Sequence, residues 1–245
     1  MKVTILGTAG GIPIPNRAQA GVLVELEKHK ILLDCGMAIP LRLAEMGVAA
    51  EEIDMICLTH GHLDHVQDLP TLSKAAWLRK DRAMFDIISP PELKSIMSSW
   101  WKAFDEWDRV ELDQSTVDDG EEYIFGSTSI EAFDTPHKPE SQGYKITDSG
   151  KSIVYTGDTA YNENLKEIAE GVDILIHELS FPFKTDLHIT PEELIDLLSD
   201  VSIKKLILVH FYPHILDQLG EISKNIEGET GIKTIIGEDL LQIEI

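Results

Sequence analysis

The feature that most limits what this chain can become is Thr59-His60-Gly61-His62-Leu63-Asp64-His65. It follows directly on Met55-Ile56-Cys57-Leu58, an apolar run that reads as a buried strand. Four imidazole or carboxylate side chains, His60, His62, Asp64 and His65, fall within six residues. A loop leaving a strand end can aim such groups at a common point, and leaving them buried and unpaired is costly. A divalent metal satisfies them together, so the fold is expected to end a core strand in a metal-binding loop.

Three more candidate ligands each come after an expected strand: His137 in Thr135-Pro136-His137, Asp158 in Thr156-Gly157-Asp158-Thr159, and His210 in Val209-His210-Phe211. Strand C-terminal ends are where α/β folds collect their sites. Taken singly, each of the three reads equally well as a core or turn residue; beside the His60 cluster they read as ligands. Five histidines and two aspartates suit two divalent metal ions with one carboxylate shared between them. Nitrogen and oxygen donors without thiolate admit Zn²⁺ first, and Mn²⁺ or iron as well.

The rest of the pattern surrounds this cluster with sheet and helix. Strands are expected at 3–6, 21–26, 31–34 and 55–58, then at 122–125, 129–133, 143–147, 152–156, 173–177, 205–210, 233–236 and 240–245. Lys28-His29-Lys30 and Asp148-Ser149-Gly150 read as hairpin turns. Helices are expected at 40–46, 69–79, 163–169 and 216–226, with another opened by Pro90-Pro91. Thr190-Pro191-Glu192-Glu193 carries an N-cap, a first-turn proline and a capping-box glutamate for a helix ending near Leu198. Trp100, Phe104 and Trp107 fall on one helical face, read first as core, then as a homodimer contact, then as a lid. With no linker, repeat or low-complexity stretch, residues 1–245 read as one α/β domain whose sheets are covered by helices.

Charge narrows the partners. Forty-three acidic against 21 basic residues give a net charge of −22 over 245 residues, spread along the chain. Such a surface repels anionic membranes and long nucleic acids. No run approaches the ~18 apolar residues of a membrane span, and the N-terminus lacks the pattern of a secretory signal. The two cysteines, Cys35 and Cys57, cannot build a disulfide framework and read as small buried apolar residues; a reducing cytoplasm is the expected compartment.

His60, His62, Asp64 and His65 match without change the H-x-H-x-D-H signature of the metallo-β-lactamase superfamily, and His137, Asp158 and His210 follow in that family's order. The chain resembles it over essentially its whole length. The resemblance implies an αββα sandwich with the site on one edge of two packed sheets. It also implies that His60, His62 and His137 hold one metal, that Asp64, His65 and His210 hold the other, and that Asp158 bridges them.

Within the superfamily, the motifs are most similar to ribonuclease Z and its arm-less phosphodiesterase relatives. Leu6-Gly7-Thr8-Ala9-Gly10-Gly11-Ile12-Pro13 resembles their N-terminal glycine turn, and Leu33-Asp34-Cys35-Gly36 their first motif, whose aspartate buttresses the metal loop. His177-Glu178-Leu179-Ser180-Phe181 and His188-Ile189-Thr190 resemble their paired later motifs, so His188 and Glu178 are the expected partners facing the scissile phosphate, with His177 structural. Members that process transfer RNA carry a basic, glycine-containing arm between the positions matched by His137 and Asp158. Here only twenty residues separate the two, and a hairpin uses them.

The resulting expectation is a dinuclear metal-dependent hydrolase, a phosphodiesterase acting on a small or nucleotide-type phosphodiester. Hydroxide generated at the metals would attack phosphorus in line. Asp64 would orient it and His188, paired with Glu178, would protonate the leaving alkoxide. Arg17 and His214 are weaker candidates for holding the anionic substrate. The same metals would also serve a lactone, thioester or sulfate ester hydrolase; a ribonuclease Z-type nuclease and a non-catalytic metal-binding module come behind.

Overall fold

A strand made wholly of apolar residues can be buried on both faces, and several runs of this chain behave that way. In the computed structural model, which describes residues 1–80, 83–103 and 110–245, β1 (Lys2–Gly7) turns Val3 and Ile5 to one face and Leu6 to the other. β2 (Gly21–Glu25) and β3 (Lys30–Leu33) form the hairpin expected around Lys28-His29-Lys30. α1 (Ile39–Glu45), β4 (Met55–Cys57), the short α2 (Leu63–Val66) and α3 (Leu69–Lys80) follow. β5 (Ala83–Ile88), α4 (Leu93–Ala103) and β6 (Val110–Ser115) come next.

The second half repeats the arrangement. β7 (Glu122–Phe125), β8 (Thr128–Asp134), β9 (Gln142–Asp148) and β10 (Lys151–Tyr155) make an antiparallel meander. The turn between β9 and β10 places Ser149 and Gly150 at φ 51° and 74°, the left-handed pair that a two-residue hairpin needs. α5 (Leu165–Ala169), β11 (Ile174–Glu178), α6 (Pro191–Leu198), β12 (Lys205–Val209), α7 (Leu219–Thr230), β13 (Lys233–Ile236) and β14 (Leu241–Glu244) finish the chain.

These strands form two sheets, ordered β14-β1-β2-β3-β4-β5-β6 and β13-β12-β11-β10-β9-β8-β7. Three apolar clusters stack them into four layers. The inner one joins the sheets through Val3, Ile31, Met55, Ile146, Ile176 and Ile207. The outer two seat helices: Leu32 and Ile56 pack with Leu43, Leu72 and Trp101, while Leu175 and Leu208 pack with Leu165, Leu194 and Ile226. This is the αββα sandwich.

β5 and β6 have no counterpart among the expected strands. Asp86 interrupts one and acids alternate through Val110-Glu111-Leu112-Asp113 in the other; β6 is an edge strand, where polar residues discourage pairing with a foreign strand. The tryptophan face also differs from expectation. Leu93, Met97 and Trp101 form the buried stripe of α4 and Trp100 only flanks it, while Phe104 and Trp107 lie outside the described residues.

Parallel pairing sets the position of the site. β3 runs parallel to β4, and β10, β11 and β12 run parallel to one another, so each group ends on one rim. Asp34, the His60 loop, Asp158, Glu178 and His210 all follow or close these strands. Among the described residues, no helix is long and apolar enough to cross a membrane.

Candidate metal centre

The loop after β4 is built on Asp34, whose buried carboxylate satisfies four donors. Oδ1 accepts the Thr59 backbone N–H at 2.8 Å, and Oδ2 accepts Thr59 Oγ1 at 2.9 Å, Tyr155 OH at 2.9 Å and His65 Nδ1 at 2.7 Å. Asp34 holds φ at 59°, a left-handed value that aspartate tolerates better than most residues. Two residues on, a Cβ at Gly36 would lie 2.0 Å from the backbone oxygen of Asp64, so only glycine lets the two loops approach.

Asp34 also orients a ring. With Nδ1–H donated to the carboxylate, His65 turns Nε2 toward the site, free to ligate once its proton is displaced. The same device recurs on three other rings. His60 Nδ1 donates to Thr59 Oγ1 at 3.0 Å, His137 Nδ1 to the Leu187 carbonyl at 3.1 Å, and His210 Nδ1 to Ser180 Oγ at 2.9 Å. Each leaves Nε2 pointing inward as a lone pair.

These nitrogens converge. His62 Nδ1 lies 2.9 Å from His60 Nε2 and 3.2 Å from His137 Nε2; His65 Nε2 and His210 Nε2 are 3.2 Å apart. Asp64 Oδ2 lies 3.2 Å from His210 Nε2. Asp158 spans both groups: Oδ1 is 3.2 Å from the Nε2 atoms of His65 and His210, while Oδ2 is 3.8 Å from His60 Nε2 and 3.7 Å from His137 Nε2. Asp158 Oδ1 is fully buried without a hydrogen bond, a costly condition for a carboxylate oxygen. Imidazole nitrogens crowded against one another beside a buried carboxylate oxygen are what cations would relieve, so the donor set fits divalent metal.

Two ligand groups thus emerge from the geometry, His60–His62–His137–Asp158 and Asp64–His65–His210, each with ligand atoms within 4.8 Å of one another. A third, overlapping group joins Asp158 and His210 to His188. The electrostatics follow from the crowding. Burial, then neighbouring His65, pushes His60 well below the ordinary histidine range, and burial with His137 lowers His62. Burial works against charge on His65, yet Asp158 and Asp34 hold it well above that range. Burial likewise opposes ionised Asp158, but His210 and His65 keep its carboxyl well below the usual carboxylate range. A metal taken up here would displace the proton from His65.

Beside the ligands, His188 Nδ1 donates to Glu178 Oε1 at 2.7 Å, and the same oxygen accepts the Thr159 backbone N–H at 2.9 Å. Burial would lower His188, but the hydrogen bond and charge of Glu178 raise it above the usual histidine value. Ser180 had no signal of its own in the sequence. Its Oγ donates to Glu178 Oε2 at 2.5 Å while accepting from His210, tying the His188 pair to a ligand ring. Thr59 and Tyr155 are further residues that sequence reasoning does not single out; each is defined by a contact with Asp34.

Arg17 and His214 fall elsewhere. Arg17 Nη1 donates to Thr8 Oγ1 at 2.6 Å and the Gly237 carbonyl at 3.0 Å, and the guanidinium lies over the Phe211 ring. In this arrangement the cation braces the first loop against the C-terminal segment. His214 is exposed, outside the ligand groups, with its ring centroid 6.2 Å from those of Phe181 and Phe183. His177 is buried in β11 with Nδ1 on the Glu178 carbonyl at 2.7 Å, away from the ligands.

A model of the beta-lactamase superfamily domain matches residues 29–211. Over its full length the chain is 27% identical to a ribonuclease Z of Mycobacterium marinum, covering 99% of that protein. Its backbone is similar to that of the metallo-beta-lactamase fold protein YhfI from Bacillus subtilis, with a TM-score of 0.84, 24% identity, and coverage of 100% of this chain and 99% of that one. Human tRNase Z, short form, superposes with a TM-score of 0.82 at 21% identity, with the same two coverages.

Proposed function

Starting from a chain that belongs to the beta-lactamase superfamily and is a metal-dependent hydrolase, we propose that it is a dinuclear phosphodiesterase acting on a small or nucleotide-type phosphodiester. The observation that carries this reading is the buried Asp158 carboxylate, one oxygen toward each of two ligand groups, with the His188–Glu178 pair alongside. His60, His62 and His137 would hold one ion, Asp64, His65 and His210 the other, and Asp158 both. Zinc is the first candidate for each. When bound, two such ions supply Lewis acidity, lowering the pKa of coordinated water and neutralising charge on phosphate.

The chain's own residues do the rest. Asp64, held well below the usual carboxylate range by His210 and His65 against the effect of burial, stays an acceptor and orients the attacking water. His188 donates Nδ1–H to Glu178, which leaves Nε2 to carry a proton to the departing alkoxide. Residues 1–245 act as one domain in this account.

The ribonuclease Z relative suggests a nuclease, but the segment between His137 and Asp158 is occupied by β9, β10 and their tight turn. It offers no basic arm for transfer RNA, and the charge of −22 opposes a long polyanion. A panel of bis(nitrophenyl) phosphate, a lactone and a thioester, run on protein saturated with zinc, tests the reading. Preferential turnover of the phosphodiester is expected. Preference for either acyl substrate would overturn it.

A further inference from the structure

Apart from metal ligands, the rim beside His188 is aromatic. The ring of His188 lies 6.0 Å from that of His210 on one side and 5.4 Å from that of Phe181 on the other. Phe181 stacks on Tyr212 at 4.6 Å and lies 5.4 Å from Phe183, which reaches His214 at 6.2 Å. The row therefore runs from the ligand ring out to solvent, where Phe183 is 52% exposed.

Its inner end is fixed in place. Phe181 follows Ser180, whose hydroxyl is pinned between Glu178 and His210. Tyr212 follows Phe211, whose N–H and carbonyl pair with Thr8 and Gly10 of the first loop.

We propose that this row is a stacking shelf for a planar, base-like group on the leaving side of the substrate, so that the phosphodiester taken here is of the nucleoside type. The inference rests on the phosphodiesterase reading and narrows its substrate. Two observations favour this occupant. The shelf adjoins the residue that would protonate the leaving oxygen, so a ring attached to that oxygen through a sugar falls beside Phe181 and Phe183. A chain of −22 charge gains little long-range attraction for an anion, and Arg17 is engaged elsewhere. Base–aromatic stacking supplies affinity that does not depend on charge, about 5- to 150-fold per base.

The test compares the vicinal cyclic phosphate of adenosine with the same ester of ribose lacking the base, on zinc-loaded protein. The adenosine ester is expected to have a kcat/KM at least about fivefold higher, mostly through KM. Phe183→Ala should pull that ratio toward one, Phe183→Trp should keep it, and Leu41→Ala, an exposed change on α1, should not alter it. Calorimetry with adenosine monophosphate against ribose phosphate reads the shelf without turnover. Equal turnover of both esters, or equal binding of both monophosphates, overturns the shelf and leaves the phosphodiesterase reading intact. Preferential binding of the adenosine compound with neither ester hydrolysed keeps the shelf and overturns that reading instead.

Discussion

Glu178 divides its work between two oxygens: Oε1 orients His188, while Oε2 reaches His210 through Ser180. The first oxygen governs pH dependence. Because Glu178 raises the pKa of His188, the acid form persists above the unperturbed value of about 6.5, and the rate on an alkyl phosphodiester should fall only as pH climbs through the raised value. Glu178→Gln removes the charge and should move that alkaline limb to lower pH, while a nitrophenyl ester, whose leaving group needs no proton, keeps its profile. Parallel kcat profiles on the two esters check this, and an unmoved limb removes Glu178 from the role. The second oxygen governs metal affinity. Ser180→Ala should weaken it about 10- to 100-fold in a chelator competition, with Ser180→Thr restoring it. At this scale the seven ligand candidates were legible because their types and spacing are local or follow strands. Ser180 and Tyr155 were not, since the link from Ser180 to His210 spans 30 residues and Tyr155 meets Asp34 from 121 residues away.

Elements were legible where local chemistry and tertiary packing agree. Thr190 caps α6 as its sequence indicates: its side chain accepts the Glu193 N–H at 3.2 Å, while Glu193 accepts the Thr190 N–H at 3.0 Å. Thr190→Ala should cost about 1 kcal/mol in urea unfolding, and since the cap follows His188 by two residues, a loss of activity without loss of stability would place Thr190 in the site instead. The β9–β10 hairpin was equally plain, because Ser149-Gly150 supplies the backbone conformation that its turn needs. β5 and β6 were opaque. Asp86 breaks the apolar run of one and the alternation of the other is short and acidic, and what holds β6 is its parallel register with β5 from Ala83↔Val110 to Ile88↔Ser115. The helix α4 was placed correctly by Pro90-Pro91, but its buried stripe is set by the sheet beneath it and centres on Trp101.

For the whole molecule, two sheets with their parallel C-terminal ends on one rim gather residues from position 34 to position 210 into one buried cluster. The surrounding charge of −22 should slow the approach of any anionic substrate. Raising ionic strength shortens the screening length from about 30 Å at 0.01 M to about 10 Å at 0.1 M, so kcat/KM on a phosphodiester should rise with salt, and more than kcat does. A fall would point to a local positive field near the site. Beneath all of these expectations lies the pairing of two ligand groups through Asp158. Elemental analysis of the protein after saturation with zinc and removal of free ion measures it directly: the account predicts two equivalents per chain in the wild type and fewer in Asp158→Ala, whereas one equivalent or none in the wild type would contradict it.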